Sequence, residues 1–305
     1  MSDAGVATSA ASHRALGDAR AAIDAALEEF CGRFLDRLER PVAEAVRYSL
    51  LGEGKRLRPV LVLAAFEAAG GSGDATHVAA AVEVVHAYSL VHDDLPCMDD
   101  DDMRRGRATV HKVFGVPAAT AAGLAMVPLA VRCALFGAHT LRLDEGHAKR
   151  IVAELMRASG AGGMIGGQLL DLEGEGRALN LEELERIHRS KTGALISATV
   201  RIGGIAARAD EERVRALGEF GDAIGLAFQI ADDVLDVTAT SDVLGKTAGR
   251  DAVLGKSTYP ALLGVEGATR RAAALVEEGC AALRRHGLHT ERLEGLARYV
   301  VARRN

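Results

Sequence analysis

The chain has 305 residues, of which 49% are hydrophobic and 26% charged, so it can bury a sizeable core and still present a soluble surface. Its formal net charge of −5 argues against a general nucleic-acid surface, which would need a basic excess. Its apolar runs are shorter than the roughly 20 residues of a membrane span, and residues 1–12 lack the pattern of a secretory signal. We therefore expect a cytoplasmic protein that neither spans a membrane nor binds nucleic acid.

Few aromatic residues (4%) and only six prolines favour helices over strands. Breaks are predicted at residues 41, 52–54, 70–73, 115–117, 174–176 and 245–249, which gives about ten helices. Two stretches carry apolar residues at helical spacing: Val78, Ala81, Val82, Val85 and Ser89 in the first, and Ile224, Phe228, Ala231 and Leu235 in the second. We predict an all-α protein with one domain, residues 16–305, after a flexible leader, residues 1–15.

The four cysteines are Cys31, Cys97, Cys133 and Cys280. They lie far apart and form no CxxC pair, so the sequence indicates neither a zinc site nor a disulfide framework. We expect reduced thiols.

Residues 93–102 read DDLPCMDDDD and place six carboxylates in ten residues at the end of an apolar stretch. Such a run can be a solvated acidic loop. Arg104, Arg105 and Arg107 follow at once, however, and carboxylates beside arginines suit a Mg²⁺-bridged phosphate. The segment is therefore a candidate metal and phosphate site.

A second acidic group consists of Gln229, Asp232, Asp233 and Asp236, which share one side of a helix because they lie at i, i+3, i+4 and i+7. Paired carboxylates could act as a general acid and base, as in glycoside hydrolysis. A di-iron bundle would need two Glu-x-x-His pairs, which Glu83 with His86 and Glu185 with His188 could supply. Two aspartate-rich faces without histidine or cysteine among them favour Mg²⁺.

Short basic segments lie beside glycines. Gly54 precedes Lys55, and Arg58 follows one turn later, so backbone and cations can approach one anion. Lysine also adjoins small or hydroxyl residues at Lys191, Lys246 and Lys256. None matches the complete GxxxxGK[ST] phosphate loop. His86 lies two helical turns before Asp93 and is either a satisfied core residue or a ligand contact.

In this order, the segments resemble the trans-prenyl diphosphate synthase family, and within it the bacterial farnesyl diphosphate synthases. Residues 54–59 look like its GKRxRP segment, and residues 93–99 like its first aspartate-rich motif in the DDx4D form, followed by Arg104 and Arg105. Residues 166–171 are similar to GGQxxD, residues 191–192 to the KT pair, and residues 228–236 to the second aspartate-rich motif. Lys246 and residues 255–260 complete the likeness, while Glu53 replaces a glycine that is usual there.

The resemblance implies a homodimer of antiparallel helical bundles, each around a central cavity with the two aspartate-rich helices facing each other across its mouth. It implies Mg²⁺ as cofactor, as three ions with bound diphosphate, for which Mn²⁺ could substitute. The ligands would be Asp93, Asp99 and Asp232, supported by Asp94, Asp233 and Asp236.

The family joins an allylic diphosphate to isopentenyl diphosphate head to tail. By resemblance, Arg104, Lys191 and Lys246 hold the allylic diphosphate, and Thr192 and Gln229 offer oxygen dipoles to the carbocation. The remaining candidate substrate-binding residues are Gly54, Lys55, Arg58, His86, Arg105, Gln168, Asp171 and Lys256.

Product length depends on the residues below the first aspartate motif. Tyr88 stands about 7.5 Å down the helix from Asp93, and with Ser89 it is the candidate chain-length residue. In the family, an aromatic residue here together with DDx4D spacing accompanies the farnesyl product. If Tyr88 serves packing alone, geranyl or geranylgeranyl diphosphate becomes the expected product.

Two rivals share the fold. A terpene cyclase would not need the second diphosphate pocket that Lys55, Arg58 and His86 supply, and its second motif would differ from DDxxD. An inactive regulatory subunit would have lost aspartates or cations from the motifs, and none is missing. Both are therefore disfavoured.

Overall fold

The computed structural model describes residues 3–238 and 257–302, with side chains from residue 17 onward. In these residues the chain forms thirteen α-helices, a π-helical turn and one short hairpin, which confirms the all-α class. The helices are α1 (Asp3–Phe34), α2 (Arg40–Leu50), α3 (Leu57–Ala68), α4 (Thr76–Asp93), α5 (Val110–Phe114), α6 (Val116–Thr140), α7 (Glu145–Ser159), α8 (Met164–Gly174), α9 (Leu181–His188), α10 (Ala194–Ala206), α11 (Glu211–Thr238), α12 (Tyr259–Arg285) and α13 (Glu291–Ala302). Strands β1 (Met103–Arg104) and β2 (Arg107–Ala108) pair antiparallel, and the π-helical turn spans Arg189–Gly193.

Glycine marks several helix ends as predicted. Interruptions occur at residues 52–54, 70–73, 115 and 175–176, whereas the break predicted at 245–249 lies outside the described residues. Pro41 does not end a helix but lies in the first turn of α2, where its missing N–H and fixed φ are tolerated.

The predicted number of helices, about ten, was too low because some ends carry no glycine signal. Helices α6 and α10 are each followed two residues later by an arginine in the left-handed region, Arg142 with φ 53° and Arg208 with φ 57°. Glycine is usual at such ends, so arginine gives no warning in the sequence.

The core is built around α4, α10 and α11. The predicted stripe of Val78, Ala81 and Val82 on α4 is buried, and so are Ala79 and Val84 on its other sides. Helix α4 is therefore a central helix rather than an amphipathic surface helix. Because α4 and α11 are anchored in the core, the aspartate segments at their ends are held on rigid supports.

Most of the predicted flexible leader, residues 1–15, lies within the helical bounds of α1, which begins at Asp3. Its flexibility and the single-domain boundary at residue 16 stay predictions. The four cysteines are free, with Cys97 exposed and the other three buried, as expected for reduced thiols.

Helix α6 is the one described helix that is long and apolar enough to cross a membrane, with a mean hydropathy of 1.7. Half of its apolar window is buried inside the protein, and a core helix of a soluble protein passes the same test. The helix is weak evidence for a membrane span.

Candidate active site

The first acidic segment folds back on the end of α4. The amide N–H of Asp99 donates to the carbonyl of Asp93 at 2.9 Å, which brings the two aspartates of the DDx4D segment together. Burial raises the pKa of Asp93 to about 6, and the charge of Asp99 adds to that rise while Lys191 opposes it. A half-buried carboxylate beside other carboxylates is costly to charge, so a cation at this position would be favoured.

Asp94 has a different role from Asp93. It is buried, and Arg104 donates to its Oδ1 from Nε at 2.9 Å and to Asp101 from Nη2 at 3.2 Å. Burial raises the pKa of Asp94, and the charge of Arg104 opposes the rise. Asp94 thus fixes Arg104 beside the acidic segment, and its supporting role at a metal site stays a prediction.

Three predicted substrate residues form one cationic cluster. Nε2 of His86 lies 3.3 Å from Nη1 of Arg58 and 3.5 Å from Nη2 of Arg105. Burial, together with the charges of Arg58 and Arg105, holds the pKa of His86 well below its usual value. His86 is therefore neutral and can accept from the guanidinium groups, and its contact with a ligand stays a prediction.

The loop that carries Gly54 and Lys55 lies against this cluster. Nη1 of Arg105 donates to the carbonyl of Glu53 at 3.1 Å. A Cβ on Gly54 would lie 2.6 Å from the same Nη1, so glycine lets the loop approach Arg105 closely. Glu53 contributes its backbone here, which is why its departure from the usual glycine leaves the cluster intact.

Arg56 has a structural role that the sequence pattern did not indicate. Its side chain is buried, and its backbone adopts the left-handed conformation. The guanidinium group donates to Glu83 at 2.9 Å and to Asp24 at 2.8 Å, and also to the carbonyls of Leu50 and Gly52. A buried charge needs such complete pairing. Nothing in the local spacing separates Arg56 from Lys55 and Arg58, the neighbouring cations that are predicted to bind substrate.

The π-helical turn positions Lys191 and Thr192. Nζ of Lys191 donates to Asp171 on α8 at 2.6 Å. A Cβ on Gly167 would lie 2.1 Å from the backbone nitrogen of Lys191, so only glycine allows α8 to pack this closely on the turn. Turns of this type frequently occur at functional sites. Here the turn places Lys191 so that it binds Asp171 and its charge also acts on Asp93.

Helix α11 contacts both the π-helical turn and the arginine cluster around His86. Its Gly225 packs on Gly193 of the π-helical turn, where a Cβ would lie 2.7 Å from the Cα of Gly193. The guanidinium carbon of Arg58 lies 5.8 Å from the ring centroid of Phe228, within the range of a cation–π contact. The second aspartate segment, from Phe228 onward, is thereby fixed next to the lysine turn and the arginine cluster.

The aspartates of α11 differ in their surroundings. Asp233 is buried and accepts from the backbone N–H of Tyr259 at 2.9 Å, while Nε2 of His188 lies 3.2 Å away. Asp232 is half-buried, and Asp236 is buried with an Oδ1 that has no hydrogen-bond partner in the described part of the chain. Asp233 therefore ties α11 to α12, whereas Asp236 offers an oxygen that a cation could satisfy.

The contacts oppose the di-iron alternative. Glu83 pairs with Arg56, and Glu185 accepts from the hydroxyl of Tyr259 at 2.6 Å. His188 stacks on the Tyr259 ring at a centroid distance of 5.8 Å. Both glutamates thus have protein partners, and the all-oxygen aspartate set fits Mg²⁺ better.

The remaining predicted residues lie around these groups. Gln168 on α8 is buried, and its amide has no hydrogen-bond partner among the described residues, so it is available to a ligand. Gln229 and Thr192 are half-buried. Lys246 and Lys256 lie outside the described residues, and their roles stay predictions.

Tyr88 and Ser89 lie on α4 below Asp93. The ring of Tyr88 is buried and packs edge-on against His92 at a centroid distance of 5.0 Å. A Cβ on Gly123 of α6 would lie 2.1 Å from Nε2 of His92. The hydroxyl of Ser89 donates to the carbonyl of His86 at 2.8 Å. The Tyr88 ring is therefore held in place from α6 through His92.

Comparison with known proteins gives a consistent result. The sequence pattern described as polyprenyl synthetase matches residues 39–286. The chain is 47% identical to the farnesyl diphosphate synthase of Escherichia coli K12, over 86% of this chain and 89% of that protein. It is 43% identical to geranylgeranyl pyrophosphate synthase 7 of Arabidopsis thaliana, over 87% and 77%. An apo FPP/GFPP synthase structure from Zymomonas mobilis matches with a TM-score of 0.81 and 36% identity, over 95% and 100%.

Proposed function

We propose, since the chain belongs to the polyprenyl synthetase family and is a prenyltransferase, that it is a Mg²⁺-dependent farnesyl diphosphate synthase. It would join dimethylallyl or geranyl diphosphate to isopentenyl diphosphate and release diphosphate. One observation carries the proposal: the described residues hold two cationic groups, Arg104 with Lys191 beside the carboxylate of Asp93, and Arg58 with Arg105 around His86.

Each cationic group suits one diphosphate. The positive charges of Arg104 and Lys191 both lower the pKa of Asp93, so both side chains lie near its carboxylate. A diphosphate bound to metal ions on the aspartates would therefore lie close to these two cations. Arg58, Arg105 and neutral His86 form the second group, and guanidinium groups bind phosphate oxygens as bidentate forks. A second anion site supports a synthase over a terpene cyclase.

The donor set fits Mg²⁺. Asp93 has a raised pKa, and Asp236 has a buried oxygen without a partner in the described residues. Asp93, Asp99, Asp232 and Asp236 would hold the ions. When bound, Mg²⁺ stabilises the negative charge of the departing diphosphate.

The chain's own residues then handle the charges of the reaction. The allylic C–O bond breaks, its electron pair leaves with diphosphate, and Arg104 and Lys191 stabilise that anion. The double bond of isopentenyl diphosphate supplies the electrons of the new C–C bond, and its proton passes to diphosphate. Thr192 and Gln229 would face the cation with their oxygen dipoles. No side-chain base is required.

A fifteen-carbon product follows if the Tyr88 ring ends the cavity. The ring is buried, and His92 supports it from the side of α6. A chain that grows down α4 from Asp93 would reach this ring after about one and a half turns. The geranylgeranyl alternative would need the ring to move aside.

A homodimer and a cytoplasmic location are part of the proposal. Leu124 and Leu135 of α6 are 63% and 46% exposed, and their spacing of eleven residues places them on one side of the helix. An exposed apolar stripe on a core helix suits a subunit interface. The similarity to a bacterial farnesyl diphosphate synthase supports the location.

The decisive experiment is product analysis. The purified protein is incubated with Mg²⁺, labelled isopentenyl diphosphate and, in turn, dimethylallyl, geranyl or farnesyl diphosphate, and the dephosphorylated products are separated. Farnesol from the first two primers is the expected result, and Tyr88→Ala is expected to lengthen the product. Longer alcohols from the unmodified protein would disprove the farnesyl assignment, and cyclic hydrocarbons or no incorporation would disprove the synthase itself.

A further inference from the structure

The π-helical turn that carries Lys191 and Thr192 depends on contacts with other elements. The backbone N–H of Ala194 donates to the carbonyl of Arg189, five residues before it, as in a π-helix. Such turns are rare and occur mostly as single turns within α-helices. Contacts from outside the turn are therefore needed to hold it, and one is found at each of its ends.

The last residue of the turn contacts α11 through backbone alone. Gly193 lies so close to Gly225 that a Cβ on Gly225 would be 2.7 Å from the Cα of Gly193. Neither glycine has a side chain that could fix the rotation of the turn. A second contact is needed to determine where the side chain of Lys191 lies.

His188 supplies the second contact, immediately before the turn. It is the last residue of α9 and is 7% exposed. Its Nε2 lies 3.2 Å from Oδ2 of Asp233 on α11, an oxygen that also accepts from the backbone N–H of Tyr259. A carboxylate oxygen only accepts hydrogen bonds, so Nε2 carries a hydrogen and donates it to Asp233.

The ring of His188 is also held from the side of α12. It stacks on the ring of Tyr259 with a centroid distance of 5.8 Å and an interplanar angle of 15°. The hydroxyl of Tyr259 donates at 2.6 Å to Glu185, which lies about one turn before His188 on α9. The imidazole is thus fixed between α11 and α12.

We propose that His188 is a positioning residue for the reaction proposed above, on which this inference rests. Its hydrogen bond to Asp233 holds the π-helical turn so that Lys191 stays beside the departing diphosphate. Asp233 lies about 12 Å along α11 from Gly225, so the turn is attached to this helix at two well-separated points. Lys191 lies between the attached ends, and its Nζ donates to Asp171 on α8 at 2.6 Å.

Loss of this hydrogen bond is expected to affect the two substrates differently. Lys191 belongs to the cationic group beside Asp93 that is proposed to hold the allylic diphosphate. Arg58 and Arg105, which are left for isopentenyl diphosphate, lie on α3 and at the turn of the hairpin. A shift of the π-helical turn therefore weakens the allylic side of the site and leaves the other side in place.

The test is steady-state kinetics with Mg²⁺, geranyl diphosphate and labelled isopentenyl diphosphate, measured as incorporated label so that product length does not matter. His188→Leu and His188→Phe remove the donor, and the second keeps a ring against Tyr259. In both, kcat/KM for geranyl diphosphate is expected to fall by about tenfold or more, because small displacements of a charged group are costly in the transition state. KM for isopentenyl diphosphate is expected to stay nearly constant.

Two control variants separate positioning from a purely structural role. His188→Gln keeps an amide N–H at a similar reach and is expected to recover most of the activity. Tyr259→Phe loses the hydrogen bond to Glu185 on the same helix but keeps the contacts with Asp233 and His188. It is expected to unfold at a lower temperature and to keep both kinetic constants.

A double variant tests whether His188 acts through Lys191. In a Lys191→Ala background, His188→Leu is expected to have little further effect, because the ammonium group that it positions is gone. Unchanged kcat/KM for geranyl diphosphate in His188→Leu and His188→Phe, no recovery in His188→Gln, or a full further loss in the Lys191→Ala background would overturn the inference and leave the proposed function intact. No incorporation by the unmodified protein would overturn both.

Discussion

Replacing Asp93 by asparagine is expected to stabilise the metal-free protein while abolishing its Mg²⁺-dependent activity. Burial, with the charge of Asp99 adding to it, raises the pKa of Asp93 from 3.8 to about 6. That difference corresponds to about 3 kcal/mol of folding free energy at neutral pH. Asparagine has a similar shape and carries no charge, so most of this cost is removed.

The direction in which stability changes with pH follows from proton binding by Asp93. Between about pH 4 and pH 6 the folded protein keeps the proton of Asp93, whose pKa is raised, while the unfolded chain has lost it. This contribution to stability is therefore complete below pH 4 and is lost as the pH rises through 6. The asparagine variant lacks this dependence, so it is expected to match the unmodified protein at low pH and to exceed it by about 2–3 kcal/mol at pH 8.

The assay is urea unfolding in the presence of a chelator, from pH 4 to pH 8, with Asp36→Asn as the control for an exposed carboxylate. A repeat with Mg²⁺ and diphosphate should stabilise the unmodified protein and leave Asp93→Asn almost unchanged. If Asp93→Asn is no more stable than the unmodified protein at pH 8, the burial argument is refuted. Normal turnover with unchanged Mg²⁺ dependence would refute the metal assignment.

Three other perturbations probe separate parts of the structure. Asp233→Ala leaves the buried N–H of Tyr259 unpaired and is expected to lower the free energy of unfolding in urea by about 1–3 kcal/mol. Asp232→Ala is expected to keep the stability of the unmodified protein but to lose turnover. The reverse result would mean that Asp232 is the structural residue and Asp233 the metal ligand. Arg56→Met leaves the buried Glu83 without its partner and is expected to cost about 3–5 kcal/mol, which Glu83→Gln in the same chain should partly restore; no rescue would contradict the pairing. Leu135→Glu is expected to give monomers in analytical ultracentrifugation, and an unchanged dimer would place the interface elsewhere.

Local spacing was sufficient to predict where the two aspartate segments lie on helices. The apolar stretch that ends at Asp93 and the spacing of Asp232, Asp233 and Asp236 depend on helix periodicity alone, and the structure places both segments on helices as predicted. Glycines marked many of the loops because left-handed backbone and close contacts exclude other residues. Helix ends at Arg142 and Arg208 were missed because no such signal accompanied them.

The sequence by itself determined the all-helical class, the two aspartate segments and the set of cationic residues, since each depends on neighbours within two helical turns. Only the tertiary structure decided how the members of each set differ. Asp94 accepts from Arg104, Asp233 accepts from the backbone N–H of Tyr259, and Oδ1 of Asp236 is left without a partner in the described residues. The first two contacts join segments that loops separate in the sequence. Whether a single buried atom finds a partner depends on the whole packed core. Spacing along the chain can specify neither.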